Sequence, residues 1–379
     1  AAKERVANGH DTKAKIEPFK TVQASSFAGQ PVPVQKYLDG RQTVPIGSVT
    51  LITGSGGVGK TIVALQLAVA CAAKGRWLGY PANQYGRGVV LFYSGEEPLD
   101  VIHRHIANIC QSEGLDLAKL TGLHIIAATD EEAGPGLFTQ TRGKSESVEP
   151  TRNFHRLKAN VALSKPDLII ADNRGQIVEG DENKRVVAHQ TMTPLSLLAR
   201  RNDSAFILLA HPSMSGEQSG SGQSGSTAWY AAARSQLHMT RPKEEDGTED
   251  PSSLERIIRV KKNQYDRNGA TINLAWDNGC YVCTDAAFQR AGADMGQESK
   301  AENIFLFLTG LYNDQGLDLS PSPSSPNYAP KLFCAHPKRD KVTYKEFDKA
   351  MKILLESGRV AVKSAGSASR GKKQLVVGG

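Results

Sequence analysis

Along the first three quarters of the chain, short apolar runs alternate with longer stretches that are apolar on one face only. Strand-like runs occur at Ser48 to Thr53, Val89 to Tyr93, Leu123 to Ala128, Leu168 to Ala171 and Phe206 to Ala210. Helical spacing appears between most of them, at Ile62 to Ala73, Leu99 to Cys110 and Val186 to Arg200. Strands separated by helices imply a mostly parallel sheet with helices on both faces, an α/β fold. Leu254 to Val260 and the stretch "INLAWDNGCYVC", which turns at Asp277, Asn278 and Gly279, predict antiparallel strands added at one edge.

Polar and glycine-rich stretches divide the chain. Residues 1–30 show no periodicity and read as an arm, residues 31–288 as the main domain, and 289–300 as a linker. In residues 301–379 the apolar positions Ile304, Phe305, Leu308, Leu311 and Tyr312 share one helical face, and Phe347, Ala350, Met351, Leu354 and Leu355 share another. The loop from Ser320 to Pro330 between them is expected to lack regular structure. After Glu356 come Arg359, Lys363, Arg370, Lys372 and Lys373 with no acid. Helices followed by a basic hairpin suggest a small winged-helix-like domain, and a helical appendage with a solvated basic tail fits the same pattern.

Composition adds modest constraints. With 379 residues and 39% hydrophobic content the chain can bury one large core and a smaller one. No apolar run reaches the roughly 20 residues of a membrane span, and no signal sequence opens the chain, so a soluble, cytoplasmic protein with no membrane partner is expected. Five cysteines at irregular spacing suit a reducing compartment, and the lone pair Cys280 and Cys283 reads as buried thiols rather than a zinc site. The net charge of +7 makes a polyanionic partner plausible without identifying it.

The chemistry concentrates in "GSGGVGKT", which fills the G-x-x-x-x-G-K-[ST] pattern between a strand and a helix. Gly54, Ser55, Gly56, Gly57, Val58, Gly59, Lys60, Thr61 and Ile62 are the expected nucleotide cradle. The glycines let backbone N–H groups turn toward phosphate oxygens, Lys60 reaches the β- and γ-phosphates of ATP, and the Thr61 hydroxyl ligates Mg²⁺. Asp172, ending the apolar run of "PDLIIADN", is the expected second metal-side residue. Its follower is Asn173 rather than an acid, so the general base is sought instead in "VVLFYSGEEP", where Glu96 and Glu97 close a strand on the ligand side. One of these acids could equally cap the helix that follows.

Taken together, "FAGQPVP", "GSGGVGKT", "YSGEEP", "DNRGQIVEGDEN", "LLAHPSMSG" and "GSTAWYAAARSQL" resemble, in this order, the RepA-type branch of RecA-like ATPases, found in plasmid and phage replicative helicases. The resemblance spans most of residues 25–285. It implies a RecA-like P-loop core and points to Glu96 as the catalytic base, three positions after Tyr93. It implies that His211 senses nucleotide state and relays it to the Gly/Ser-rich loop Ser213 to Thr227, a DNA-contacting pore loop; a structural histidine and a disordered surface loop are the plain alternatives. Arg234 falls where the pattern carries an arginine finger acting in trans, against the competing reading of an internal salt bridge. Lys261 and Lys262 resemble a second cationic element at the same interface; Lys262 is counted among the nucleotide-binding residues, although the spacing leaves the choice between the two open. The first pore loop, Asn173 to Arg185, departs from the more hydrophobic family segment, while Arg174, Lys184 and Arg185 are available to phosphates. The implied protein is a Mg²⁺-dependent, ring-forming ATPase, a hexamer, that moves on single-stranded DNA in replication of a plasmid, phage or similar element, with a primase or initiator as a further partner. A filament-forming recombinase or repair ATPase, and a nucleotide-switched loader or scaffold, are the alternatives.

Overall fold

The computed structural model describes residues 18–379 except 85, 142–145, 213–226, 245–246, 267, 286–300, 303, 314, 340, 357–359, 366–371 and 378–379. The chain forms two compact units that divide after Lys36. In the first, residues 18–36 carry no helix or strand apart from one 3-10 turn, Ala24–Phe27, and Phe19, Phe27, Val32 and Val34 are exposed. The N-terminal residues before these lie outside the described residues.

The second unit begins its sheet with β1 (Val49–Thr53), followed by α1 (Lys60–Ala73), a short ribbon β2 (Arg76–Trp77) and β3 (Tyr80–Pro81), then β4 (Val90–Ser94) and α2 (Leu99–Glu113). Next come β5 (Leu123–Ala127), β6 (Phe138–Thr141), β7 (Ser147–Pro150), α3 (Arg152–Ser164), β8 (Leu168–Asp172), α4 (Arg174–Ile177) and β9 (Val178–Glu179). The core closes with α5 (Arg185–Arg201), β10 (Ala205–Ala210), a helix Thr227–Ala232, β11 (Ser235–Thr240), β12 (Glu255–Asn263), β13 (Thr271–Asp277) and β14 (Cys280–Cys283).

Nine of these strands make one sheet in the order β14-β13-β12-β11-β1-β10-β8-β4-β5. From β11 to β5 all pairings are parallel, and β12, β13 and β14 extend the sheet as antiparallel strands. β1, β4, β8 and β10 are buried at every position because helices cover both faces. Their side chains alternate between two cores: Ile52, Phe92, Ile170 and Ile207 join α1 and α2 on one side, while Leu51, Tyr93, Ile169 and Leu208 join α3 and α5 on the other. This is the α/β fold, a mostly parallel sheet between helices, that the pattern predicts, with the antiparallel hairpin at one edge as expected.

Two core elements are additions to that expectation. They are α3 and β11: α3 buries only Asn153, Phe154, Leu157 and Val161, and β11, with few apolar residues in sequence, buries the polar Ser235, Gln236, His238 and Thr240 among its six positions. A central strand with polar side chains breaks the apolar-run signature on which strand recognition depends.

Toward the C-terminus, residues 301–302 and 304–313 are helical, followed by helices Ala329–Ala335 and Tyr344–Glu356 and a hairpin of β15 (Val360–Ala365) and β16 (Lys372–Val377). Phe305, Phe333, Phe347, Leu354 and Leu375 form a core of their own. Thr343 and Glu346 exchange the reciprocal bonds of a capping box at the start of the last helix. Helices and a terminal hairpin thus take the winged-helix-like order read from the sequence. The loop from Ser320 ends earlier than expected, because Ala329 and Pro330 open a helix, where proline lacks only an N–H that would be unpaired anyway. Of the basic tail, Lys363 is exposed, Arg359 and Arg370 lie outside the described residues, as does the predicted linker 289–300, and no described helix is long and apolar enough to cross a membrane.

Candidate nucleotide site

Four adjacent parallel strands deliver their C-terminal ends to one place. The segment after β1 is the glycine loop, β4 leads into Glu96, β8 ends in Asp172, and β10 leads into His211. In parallel α/β sheets this edge is where ligands bind.

The loop's glycines are held for different reasons. Gly59 caps α1 with φ +103°, and a Cβ there would fall 2.4 Å from the Tyr281 hydroxyl oxygen. Gly54 has no room either, since its Cβ would sit 2.5 Å from the Met239 carbonyl. A Cβ on Gly56 would meet nothing within 4 Å. Lys60 is buried and folds back along the loop, donating to the carbonyls of Gly54 at 2.8 Å and Ser55 at 2.9 Å, with His211 Nδ1 at 3.4 Å. Val58 and Ile62 are buried beneath the loop, while Ser55 is half-buried.

Thr61 donates its hydroxyl proton to Asp172 Oδ2 at 2.7 Å. Burial pushes the Asp172 carboxyl up to about 7; the Thr61 bond and the Lys60 charge oppose the shift, and the Glu96 and Glu97 charges add to it. A carboxylate and a hydroxyl in contact are hard oxygen donors of the type Mg²⁺ prefers, and a cation would stabilise the ionised carboxylate that burial disfavours. The donor set therefore fits Mg²⁺, which Thr61 and Asp172 would hold.

Glu96 is exposed, and its carboxylate accepts from the Nδ2 of Asn173, a residue buried beside Asp172. Glu97 is tied through its backbone to the Ser94 hydroxyl and lies within electrostatic reach of His105 on α2. It does not cap α2: the N-cap is Pro98, without a side-chain cap, and the Leu99 N–H donates to Asp130 instead. The proton affinity of His211 is lowered first by burial and next by Lys60, which favours the neutral imidazole.

Arg234 and Lys262 lie elsewhere. Arg234 immediately precedes β11, and its N–H donates to the Val49 carbonyl at the start of β1. The glycine loop leaves the other end of β1, about 16 Å away at roughly 3.3 Å per residue. Among the described residues the Arg234 guanidinium bonds Gln264 Oε1 at 2.6 Å and pairs with no carboxylate. Lys262 donates to the carbonyls of Tyr230 and Ala231, and its charge is disfavoured by burial and by Arg234. These two cations form a second group, distant from the chain's own glycine loop. Arg234 also lines a cleft of about 670 Å³ along α5 with Arg185, His189 and Arg200.

The segment Asn173 to Arg185, expected to be a first pore loop, corrects one expectation. Arg174 is 3% exposed, forms an ion pair with Glu182, and lies 4.8 Å above the Trp229 ring, so it is a packed structural cation rather than an open phosphate ligand. Lys184 pairs with Glu146 at 2.5 Å, Arg185 stays exposed, and Val178 and Glu179 join β6 as strand β9. Most of the loop Ser213 to Thr227 lies outside the described residues, which resume at Thr227.

Sequence reasoning missed the role of Asn173 and the groups that reach the loop from outside the parallel core. Asn173 anchors Glu96, and Arg241, Arg256 and Tyr281 bond the loop's carbonyls. The last three sit on or beside antiparallel strands about 200 residues downstream, and no local motif marks them.

A family model described as an AAA domain matches residues 13–217, more than half of the chain. Among solved structures, a RadB recombinase aligns at 13% identity with a TM-score of 0.44, over 64% of this chain and 93% of that one. A KaiC-like protein from Pyrococcus horikoshii OT3 aligns at 18% identity with a TM-score of 0.45, over 67% of this chain and all of that one. No curated protein matches by sequence.

Proposed function

From the premise that this chain belongs to the AAA domain family, and is a P-loop ATPase, we propose that it is a ring-forming, Mg²⁺-dependent motor that moves on single-stranded DNA. In the proposed cycle the glycine loop and Lys60 hold the ATP phosphates, and Thr61 with Asp172 hold the metal. Bound Mg²⁺ would neutralise charge on the phosphate oxygens. Glu96, oriented by Asn173, takes a proton from the attacking water. His211, beside Lys60, registers the γ-phosphate.

The observation that carries the reading is the separation of Arg234 from its own glycine loop along the length of β1. A guanidinium with a neutral partner, at the opposite end of the sheet, can serve a phosphate only in a neighbouring copy. Such sharing requires a ring or filament, and Arg234 with Lys262 would form the face presented to the neighbour. Exposed Arg185, the net charge of +7 and the basic terminal hairpin supply the DNA-facing charge. A helicase in plasmid or phage replication, with a primase or initiator partner, is the reading the motif order supports.

Mass measurement in solution combined with ATPase and forked-duplex unwinding assays tests this. The expectation is a closed oligomer of about six copies, DNA-stimulated hydrolysis and strand displacement, with single-strand affinity falling steeply as salt rises. DNA-stimulated hydrolysis in open filaments without displacement would favour the recombinase reading, and a nucleotide-bound monomer indifferent to DNA would exclude a motor.

A further inference from the structure

The Val58 carbonyl in the glycine loop accepts two hydrogen bonds from the antiparallel edge of the sheet. Arg256 Nε on β12 donates at 2.8 Å, and the Tyr281 hydroxyl on β14 donates at 3.2 Å. Next to it, Arg241 Nη2 donates to the Gly57 carbonyl at 3.0 Å.

Each donor is itself fixed. Arg256 is 8% exposed, and its Nη1 donates to the Ser253 and Glu255 carbonyls at 2.6 Å. Tyr281 is 4% exposed, and its ring meets Trp276 edge-on at 5.0 Å with the Arg256 guanidinium 5.7 Å above it. The side-chain amide of Gln66, in α1, bonds both the N–H and the carbonyl of Tyr281, joining β14 to the helix that follows the loop. The Tyr281 hydroxyl also fills the space a Cβ on Gly59 would need.

A trans peptide is planar, with its C=O and the next residue's N–H pointing in opposite directions. Two donors gripping the Val58 carbonyl from the sheet edge therefore set the direction of the Gly59 N–H as well. Left to itself, a loop with glycines at 54, 56, 57 and 59 samples many peptide orientations. We propose that Arg256 and Tyr281 are positioning residues of the nucleotide site, which lock the Val58–Gly59 peptide with its N–H turned to the phosphates. The proposal rests on the reading of residues 54–61 as a nucleotide site. On it, the antiparallel extension serves to preorganise a binding loop that the parallel strands carry but do not brace from this side.

Tyr281→Phe tests this with the smallest change, because the ring that fills the space beside Gly59 remains and only the donor is lost. Arg256→Lys keeps a cation but gives up the fork that reaches three carbonyls at once, and Arg256→Gln gives up the charge too. The measurements are the Kd for a fluorescent ATP analogue, KM and kcat for ATP, and the melting temperature, with Lys60→Ala alongside. Tyr281→Phe is expected to raise Kd and KM about 3- to 10-fold, as for one lost hydrogen bond, with kcat within about twofold and the melting temperature nearly unchanged. Arg256→Gln is expected to weaken binding further, and Arg256→Lys to recover part of the loss. Wild-type affinity in Tyr281→Phe and Arg256→Lys, with Lys60→Ala defective, would overturn the positioning role alone. A lower melting temperature with Kd and KM unmoved would reduce both residues to structural packing. Equal binding by wild type and Lys60→Ala would overturn the nucleotide-site reading and the proposal with it.

Discussion

The side-chain amide of Asn173 bonds the carboxylate of Glu96, whereas Glu97, one residue on, is held by its backbone to Ser94 and reaches toward α2. Glu96 is thereby the acid stationed beside Asp172. Glu96→Gln is expected to keep ATP affinity and lose about 10²- to 10⁴-fold in kcat, while Lys60→Ala loses affinity itself. Glu97→Gln should turn over normally, and the reverse pattern for the two acids, read by steady-state kinetics and equilibrium binding, would move the base by one residue. Asp172 gives a pH signature. Its folded-state carboxyl is raised from 3.8 to about 7 by burial, so between those values the folded chain holds a proton that the unfolded chain has released. Nucleotide-free stability therefore declines as pH climbs through that window. Asp172→Asn should melt several degrees above wild type at pH 8 and level with it near pH 4, by scanning calorimetry without metal. Mg²⁺-nucleotide binding to the wild type, which requires the ionised carboxylate, should tighten as pH rises through about 7.

β11 shows what the sequence could and could not disclose at the level of elements. The glycine loop, Asp172, Glu96 and His211 were legible because each follows an apolar run whose burial on both faces the composition announces. β11 was not, because its place between β1 and β12 is secured by polar contacts: Thr53 Oγ1 lies 3.0 Å from both His238 Nδ1 and Gln236 Nε2. Burial, with Lys261 next, pushes His238 down to about 4, so it sits neutral in the sheet. A sequence window holding Gln, His and Ser does not announce a central strand, and it hid the element that joins Arg234 at its start to the glycine loop at its end. The segment Asn173 to Arg185 was opaque for a related reason: whether Arg174 faces solvent or Trp229 is a tertiary choice. Arg174→Met should lower the melting temperature by several degrees, since it leaves Glu182 without its buried partner, and should not change the salt slope of DNA binding. Arg185→Ala, at an exposed position, should leave melting unchanged and reduce that slope by about one. Binding titrations at several salt concentrations distinguish the two, and a reduced slope in Arg174→Met would mean that its guanidinium leaves Trp229 for phosphate.

For the whole molecule, the proposed function turns on the elements assigned to one hydrolytic site being divided between opposite ends of the sheet. Lys60, Thr61, Asp172 and Glu96 gather at the C-terminal end of the parallel strands, while Arg234 and Lys262 lie at the start of β11 and the end of β12. Two copies in contact would complete what one lacks. Arg234→Ala subunits are expected to bind ATP and assemble but to hydrolyse it roughly 10³-fold more slowly, by the scale of arginine fingers. Lys60→Ala subunits retain Arg234 and lack a working loop. The most direct measurement is the ATPase rate of mixtures of Arg234→Ala and Lys60→Ala across all ratios, with subunit exchange verified by mass. A shared site gives activity that is near zero at both ends and rises to a maximum between them, where an intact loop meets an intact arginine. Rates that stay flat at zero at every ratio, with exchange verified and Arg234→Ala showing only a lower melting temperature, would contradict the shared site and return Arg234 to a structural role within its own chain.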